Sequence, residues 1–156
     1  AEMLRDCSTL RYIGGTSWFA QHLVHRAFAG HIDYPDARAC WDDRHSYREE
    51  WAAAIAGYNR HDPIRLYRQC LAEQDILAGL RWRHEMLACR EAGLVDLWIW
   101  VERPGTPVDP TQEFTAGECD LTILNDGTLD DLKKKVERIA IGLGIAKTPA
   151  PSPQSD

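Results

Sequence analysis

Arginines carry the clearest chemical signal in this sequence. Arg44 and Arg48 lie four residues apart within a segment of helical periodicity, which places both on one helical face. No carboxylate stands three or four positions from either of them, and two like charges on one face repel unless an anion compensates them. The pattern therefore predicts an anionic partner, which is either a ligand phosphate or an acid on another element.

Two aromatic residues flank this arginine pair. Tyr47 and Trp51 have flat side chains that can stack on a nucleotide base. Their presence favours a ligand phosphate over a distant acid as the partner of the arginines. We therefore predict a substrate-binding set made of Arg44, Tyr47, Arg48 and Trp51.

A second group of charged residues follows residues 75–80, a short apolar run that is predicted to be a strand. Arg81 and Arg83 come directly after it, where a planar guanidinium can hold a phosphate through two parallel hydrogen bonds. Glu85 is close enough in sequence to orient one of these guanidinium groups. The alternative is that the arginines stand at a helix start and face water.

Arg103 opens a long loop at residues 103–118. The loop contains three prolines and two glycines, and loops of this length in compact domains are commonly functional lids. An arginine on a lid can stabilise the charge of a transferring phosphoryl group. A solvated loop arginine is the other interpretation.

The stretch "NDGT", Asn125 to Thr128, joins a predicted strand to a helix. Asparagine, aspartate and glycine are common turn residues. Thr128 is a typical helix cap, and Asp131 stands three residues further on, as in a capping box. By itself this stretch predicts only a turn and a helix start.

The elements that must position these residues follow from hydrophobic patterning. Strands are predicted at residues 10–15, 75–80, 95–101 and 119–124, and the run at 95–101 is apolar enough for a strand covered on both faces. One long helix is predicted over residues 41–59. Alternation of strands and helices indicates an α/β fold with a mostly parallel sheet. Ligands bind beyond the carboxyl ends of such strands, where the later arginines and the "NDGT" turn lie.

Composition excludes several classes of protein. The 156 residues suffice for one domain, and a net charge of -6 argues against a nucleic-acid partner bound through a basic surface. No apolar run is long enough to cross a membrane, and no signal peptide is visible. The five cysteines form no CxxC pair, which indicates free thiols in a reducing compartment such as the cytoplasm.

Several motifs are absent from the sequence. HExxH, GxSxG and GxGxxG do not occur, and the histidines show no paired spacing, so no metal ligand is assigned. The phosphate-binding motif GxxxxGK[ST] is absent as well.

Taken together, "DILAGLRWRHE", "DLWIWVERP" and "CDLTILNDGTLDDLKKKV" resemble phage-type deoxynucleoside monophosphate kinases of the P-loop nucleotide kinase superfamily. In that family a strand ends in an arginine ahead of a glutamate, as at Arg81 and Glu85, and the last strand leads through Asn-x-Gly-Thr into a helix. The segment "CWDDRHSYREEW" is similar to the family's substrate-side helices. The resemblance implies a kinase-like domain over residues 1–145 with a lid at 103–118, and composition predicts a disordered tail at 146–156.

The resemblance also implies an activity, which is transfer of the ATP γ-phosphoryl group to a (deoxy)nucleoside monophosphate with Mg²⁺. The implied catalytic residues are Arg81 and Arg103, and Arg83 and Glu85 join the substrate-binding set. The positions implied to lie beside the base of ATP are Asn125, Asp126, Gly127 and Thr128. The expected partner is a small-molecule nucleotide, a homodimer is left open, and the expected location is the cytoplasm (that of the host for a phage protein).

One departure from the family is large. The family begins with a strand, a phosphate-cradling glycine loop and a helix, and "AEMLRD" is typical of the rest of that helix. We expect roughly two dozen residues, including the phosphate loop, to be missing. Their absence predicts a gap between the strands at 75–80 and 95–101, and an inactive chain. The alternatives are a dephospho-coenzyme A kinase-like enzyme and a non-catalytic protein that binds a nucleotide or a partner on a kinase scaffold.

Overall fold

A computed structural model of the chain describes residues 1–107 and 109–148. Within these residues the chain forms seven α-helices and a two-stranded parallel sheet, which confirms the mixed α/β class. In chain order the elements are α1 (Glu2–Cys7), α2 (Thr16–Phe28), α3 (Ala37–Asp42), α4 (Arg48–Tyr58), α5 (Arg65–Glu73), α6 (Arg83–Glu91), β1 (Ile99–Glu102), β2 (Leu121–Leu124) and α7 (Leu129–Gly142). No helix in the described part of the chain is long and apolar enough to cross a membrane.

The main core lies between α2, α4 and α5. Val24 and Phe28 stand four residues apart on one face of α2, so both turn inward together. They pack in one cluster with Trp51 of α4 and Leu66 of α5. A second cluster joins α5 to α6 and contains Ile64, Tyr67 and Cys89. These clusters fix the relative positions of the helices that surround the candidate site.

The strands predicted at residues 10–15 and 75–80 are wrong, because neither segment forms a β-strand. Residues 10–15 and 75–80 lie next to each other, but the carboxamide of Gln74 makes the hydrogen bonds that a neighbouring strand would make. Its Oε1 accepts from the backbone N–H groups of Ile13 (2.8 Å) and Gly14 (3.2 Å), and its Nε2 donates to the Gly14 carbonyl (3.0 Å). Because one side chain satisfies these backbone groups, the two segments need no ladder of their own.

β1 and β2 pair in parallel, with Ile99 opposite Leu121. The predicted strand at 95–101 therefore begins later than expected, and Val101 is 57% exposed. The prediction that this strand is covered on both faces is wrong. Residues 75–80 do not pair with β1.

The long helix predicted over residues 41–59 is also wrong, because the structure divides it into α3 and α4 with a turn between them. At this turn the Asp43 carboxylate accepts hydrogen bonds from the Ser46 hydroxyl (2.5 Å) and from the Tyr34 hydroxyl (2.6 Å). An aspartate that bonds locally in this way competes with helix hydrogen bonding, which explains the break. Arg44 consequently lies in the turn, and only Arg48 lies in a helix.

The two ends of the described chain meet. α1 packs on α7, and Ser8 forms an isolated antiparallel bridge with Ala146. The Lys147 ammonium donates to the backbone carbonyls of Arg5 and Asp6. The beginning of the predicted disordered tail is therefore part of the fold, and residues 149–156 of that tail lie outside the described residues.

Candidate functional site

An open cavity of about 1030 Å³ is the candidate site. Five of the residues singled out from the sequence line it, namely Arg44, Arg48, Trp51, Arg81 and Glu85. The cavity lies between the start of α2, the turn before α4, the buried face of α5 and the segment that ends at Arg81. Pro107, Asp109, Pro110 and Thr111 of the long loop complete the wall. Residues far apart in sequence are thus gathered around one space.

Arg44 lies in the turn between α3 and α4, and Arg48 is the first residue of α4. Both side chains line the cavity. The Arg44 side chain folds back and donates from Nη1 to the Trp41 carbonyl (3.0 Å), while Arg48 is exposed. Over residues 1–107 and 109–148, neither guanidinium forms an ion pair with a carboxylate. As the sequence predicts, neither Arg44 nor Arg48 has a carboxylate close to it along the chain. The prediction that the two residues lie on one helix is wrong.

Arg81 does have an acidic partner. Its Nη1 lies 3.2 Å from Asp109 Oδ2 and 3.0 Å from the Thr111 hydroxyl, so Arg81 ties the long loop to the segment just before α6. Hydrogen bonds from Thr111 lower the pKa of the Asp109 carboxyl, and the charges of Arg81 and Arg48 add to this effect. A negative charge is therefore stable at this wall of the cavity. The alternative for Arg81 was exposure to water at a helix start, and the structure instead pairs Arg81 with Asp109.

Trp51 lines the cavity and is only 5% exposed. Its indole N–H finds no acceptor among the described residues. Buried indole N–H groups normally have a hydrogen-bond partner, so this donor is an exception at the wall of the cavity. Trp82 also contributes to the lining, and the cavity thus offers aromatic surface beside its arginines.

Glu85 lies beneath the cavity and is 1% exposed. The expectation that it orients Arg81 or Arg83 is wrong, because its partners are the Tyr67 hydroxyl and the Asn59 carboxamide, which donates at 3.3 Å. Burial raises the pKa of Glu85, and the two donated hydrogen bonds oppose that shift. Glu85 therefore joins three helical regions instead of gripping a guanidinium.

Most of the residues that line the cavity were not predicted from the sequence as site residues, and Thr16 and Ser17 are two of them. They begin α2, whose N-terminus has no side-chain cap. Residue 79 lies against this helix start, and only glycine fits there. The φ of Gly79 is 102°, and a Cβ at this position would lie 2.8 Å from the Thr16 hydroxyl. The sequence Gly-Gly-Thr-Ser predicts the start of a helix, but it does not indicate which other parts of the chain pack around that start.

Three predicted residues do not line the cavity. Tyr47 packs against Phe28 and Tyr34, with ring centroids 6.0 and 6.4 Å away. Arg83 forms an ion pair with Glu118 and so fastens the long loop to α6. Arg103 is exposed and lies outside the cavity lining.

The turn Asn125–Thr128 is separate from the cavity lining as well. Thr128 and Asp131 form a full capping box at the start of α7, as the spacing predicted. Asp126 pairs with Lys135, and a Cβ at Gly127 would lie 2.8 Å from Asp131 Oδ2. These contacts explain the turn as a helix start, and they do not test its expected role beside the base of ATP.

The described ranges contain no group of three or more histidine, cysteine, aspartate or glutamate residues that could hold a metal ion. Mg²⁺ sites in phosphotransferases use one or two carboxylates together with substrate phosphates. A site of that kind would need the phosphates of a bound nucleotide as further ligands.

Comparisons of the chain with protein-family models, with curated proteins and with solved structures find no match. The function is therefore inferred from the residues of the cavity and from the sequence motifs.

Proposed function

We propose that the cavity binds a (deoxy)nucleoside monophosphate, and that the protein acts in transfer of the ATP γ-phosphoryl group to that substrate. The observation that carries the proposal is the convergence of Arg44, Arg48 and Arg81 on one cavity. Guanidinium groups recognise phosphate oxygens through paired hydrogen bonds, and several of them together suit a dianion. Trp82, which is half-buried and lines the same cavity, supplies flat surface of the kind that stacks on a base.

In this proposal the three arginines hold the substrate phosphate and orient it for in-line attack. Phosphoryl transfer needs little covalent chemistry from a protein, so positioning and charge stabilisation are the main contributions. ATP, with Mg²⁺, would supply the phosphoryl group. Arg103 on the long loop and the turn Asn125–Thr128 are proposed to lie on the ATP side, away from the substrate cavity.

The binding step and the transfer step have different requirements. The cavity needs only residues of this chain, whereas transfer in P-loop kinases needs the loop GxxxxGK[ST], which the 156 residues do not contain. We therefore expect the chain alone to bind a monophosphate without turning it over. A non-catalytic nucleotide-binding protein is the second candidate, because the cavity arginines account for binding without a transfer step.

Isothermal titration calorimetry with the four deoxynucleoside monophosphates and their parent deoxynucleosides tests the binding step. We expect at least one monophosphate to bind more tightly than its deoxynucleoside. Arg48→Ala or Arg81→Ala should weaken monophosphate binding by about 1.5–3 kcal/mol, roughly ten- to hundredfold, because each removes a charge-assisted hydrogen bond.

Arg68→Ala is the matched control, since Arg68 pairs with Asp62 and does not line the cavity. The affinity of Arg68→Ala for the monophosphate should equal that of the unmodified chain. Equal affinity for monophosphates and deoxynucleosides, or unchanged binding in both cavity variants, would refute the proposed phosphate site.

The coding sequence upstream of Ala1 separates the two candidates. A glycine-rich loop ending in Lys-Ser or Lys-Thr there supports the kinase, and a start codon without such a loop supports the non-catalytic protein. For the kinase, the extended chain should form ADP from ATP and a monophosphate, and Arg81→Ala should abolish most of this activity. ADP formation at the normal rate in Arg81→Ala would contradict the catalytic role of Arg81.

A further inference from the structure

We propose that Trp41 is a positioning residue that holds the Arg44 guanidinium against the cavity wall, ready for the substrate phosphate. Trp41 itself does not line the cavity. The inference rests on the proposed function for the identity of the bound anion. The contact between the two residues exists in the chain without any ligand and can be tested independently.

Three contacts join Arg44 to Trp41. The Arg44 backbone N–H and its Nη1 both donate to the Trp41 carbonyl, at 3.2 and 3.0 Å. The guanidinium carbon lies 4.2 Å from the centroid of the indole ring. A guanidinium at this distance from an aromatic face is attracted by the ring electrons and is also held in one plane.

The indole ring is itself held in place by the fold. The ring of Trp18 meets it edge-on at 5.4 Å with an interplanar angle of 86°, and Trp41 packs against the main core. Arg38 also lies against the ring, with its guanidinium carbon 4.7 Å from the centroid. A side chain stacked on a ring that is held by such contacts loses part of its own freedom before the ligand arrives.

This loss of freedom matters for binding. A free arginine side chain is ordered when it grips a phosphate, and the entropy of that ordering subtracts from affinity. Arg44 is ordered in advance by Trp41, whereas Arg48 is exposed and has no such support in the described structure. Arg44 is thus the preorganised member of the pair and Arg48 the adaptable one.

Nuclear magnetic resonance of the arginine Nε–Hε groups tests the contact without a ligand. A proton held over an indole ring is shifted by the ring current. We expect the Arg44 Hε resonance of the unmodified chain to be displaced from the position of an exposed arginine, and Trp41→Leu to remove the displacement. An Arg44 resonance that is the same in both proteins would overturn the inference.

Calorimetry then tests the consequence for binding. Trp41→Leu should weaken monophosphate binding about three- to tenfold, the range expected for ordering one long side chain, and should leave deoxynucleoside binding unchanged. In an Arg44→Ala background the same change should have no further effect. A purely structural role of Trp41 would instead weaken both ligands together and would persist in that background, which overturns the inference.

Two more variants complete the design. Trp41→Phe keeps a smaller aromatic face, and it should retain part of both the resonance displacement and the affinity, even where Trp41→Leu does not fold. Arg65→Ala removes a guanidinium stacked at the same distance, 4.2 Å, on a different ring, that of Tyr58. Its affinity for the monophosphate should not change, because neither Arg65 nor Tyr58 lines the cavity. Failure of the proposed function has a different signature, namely no monophosphate binding by the unmodified chain while the Arg44 displacement persists.

Discussion

Glu85 illustrates how strongly the behaviour of one residue depends on its partners. Its carboxyl group is buried, with Tyr67 and Asn59 as donors and no cation paired with it in the described structure. Ionising a buried carboxyl is unfavourable, so the pKa of Glu85 is raised by desolvation. The same burial raises the pKa of Tyr67, and the hydrogen bond to Glu85 raises it further.

The raised pKa of Glu85 makes its contribution to stability depend on pH. Below its unfolded-state pKa of about 4.3 the group is protonated in both states, and its contribution is fully present. As pH rises above about 4.3, Glu85 ionises in the unfolded chain while it is still protonated in the folded state, which favours unfolding. The contribution is fully lost once the pH exceeds the raised pKa of the folded state. Glu85→Gln keeps the shape and the acceptor for Asn59 but cannot ionise.

We therefore expect the unfolding free energy of the unmodified chain, relative to Glu85→Gln, to fall as pH rises above about 4.3. Urea unfolding of both proteins between pH 4 and pH 8 measures this difference. Glu73→Gln, on the exposed surface of α5, controls for loss of one negative charge. A difference that stays constant or rises with pH would contradict the burial argument.

At the scale of elements, the joint between residues 10–15 and 75–80 depends on one side chain. Gln74 is 0% exposed and satisfies three backbone groups of Ile13 and Gly14. This joint leads directly into the N-terminus of α2, which lines the cavity. Asp75 strengthens the joint from the surface, where hydrogen bonds from the Arg11 side chain and backbone lower its pKa to about 2.

Gln74→Leu should lower the unfolding free energy by about 2–4 kcal/mol, because buried backbone donors and an acceptor are left without partners. Gln69→Leu, at an exposed position of α5, the helix that ends just before Gln74, is the matched control and should change stability by less than about 0.5 kcal/mol. Urea unfolding measures both. Equal stability of the two variants would show that water replaces the Gln74 contacts without cost.

At the scale of the whole molecule, the cationic cavity belongs to a chain whose net charge is -6. An anion is therefore attracted by nearby arginines and repelled by the remainder of the surface, and salt screens both effects. Binding to the folded state stabilises it, so a monophosphate at 100 times its dissociation constant should add about 2.7 kcal/mol to the unfolding free energy.

Thermal unfolding at low and high salt measures this effect. The midpoint temperature should rise with a deoxynucleoside monophosphate, and the rise at a fixed ligand concentration should shrink as salt increases. The parent deoxynucleoside, which lacks the phosphate, is the control and should give a smaller rise with little salt dependence. Equal shifts for the two ligands would contradict an arginine-based phosphate site.

The sheet adds a second observation at this scale. Parallel sheets are normally covered on both faces, yet Val101 of β1 and Leu124 of β2 are exposed, and residues 75–80 do not pair with β1. The exposed residues show that the two-stranded sheet is not covered on both faces within the described part of the chain. The kinase fold and a homodimer stay predictions.

Much of the local structure was predictable from sequence because it depends on neighbours along the chain. The capping box of Thr128 and Asp131 was predicted correctly, because it arises from interactions within three residues. The break between α3 and α4 was missed because Asp43 also bonds to Tyr34, nine residues away.

The sequence by itself determined the mixed α/β class, most helices and the residue types that can bind a phosphate. Only the tertiary structure decided which of them meet: Arg44, Arg48 and Arg81 line one cavity, whereas Arg83 pairs with Glu118 and Tyr47 joins the core. The physical reason is that helix starts and faces are encoded by short-range contacts. The meeting of distant arginines depends instead on how those helices pack against one another.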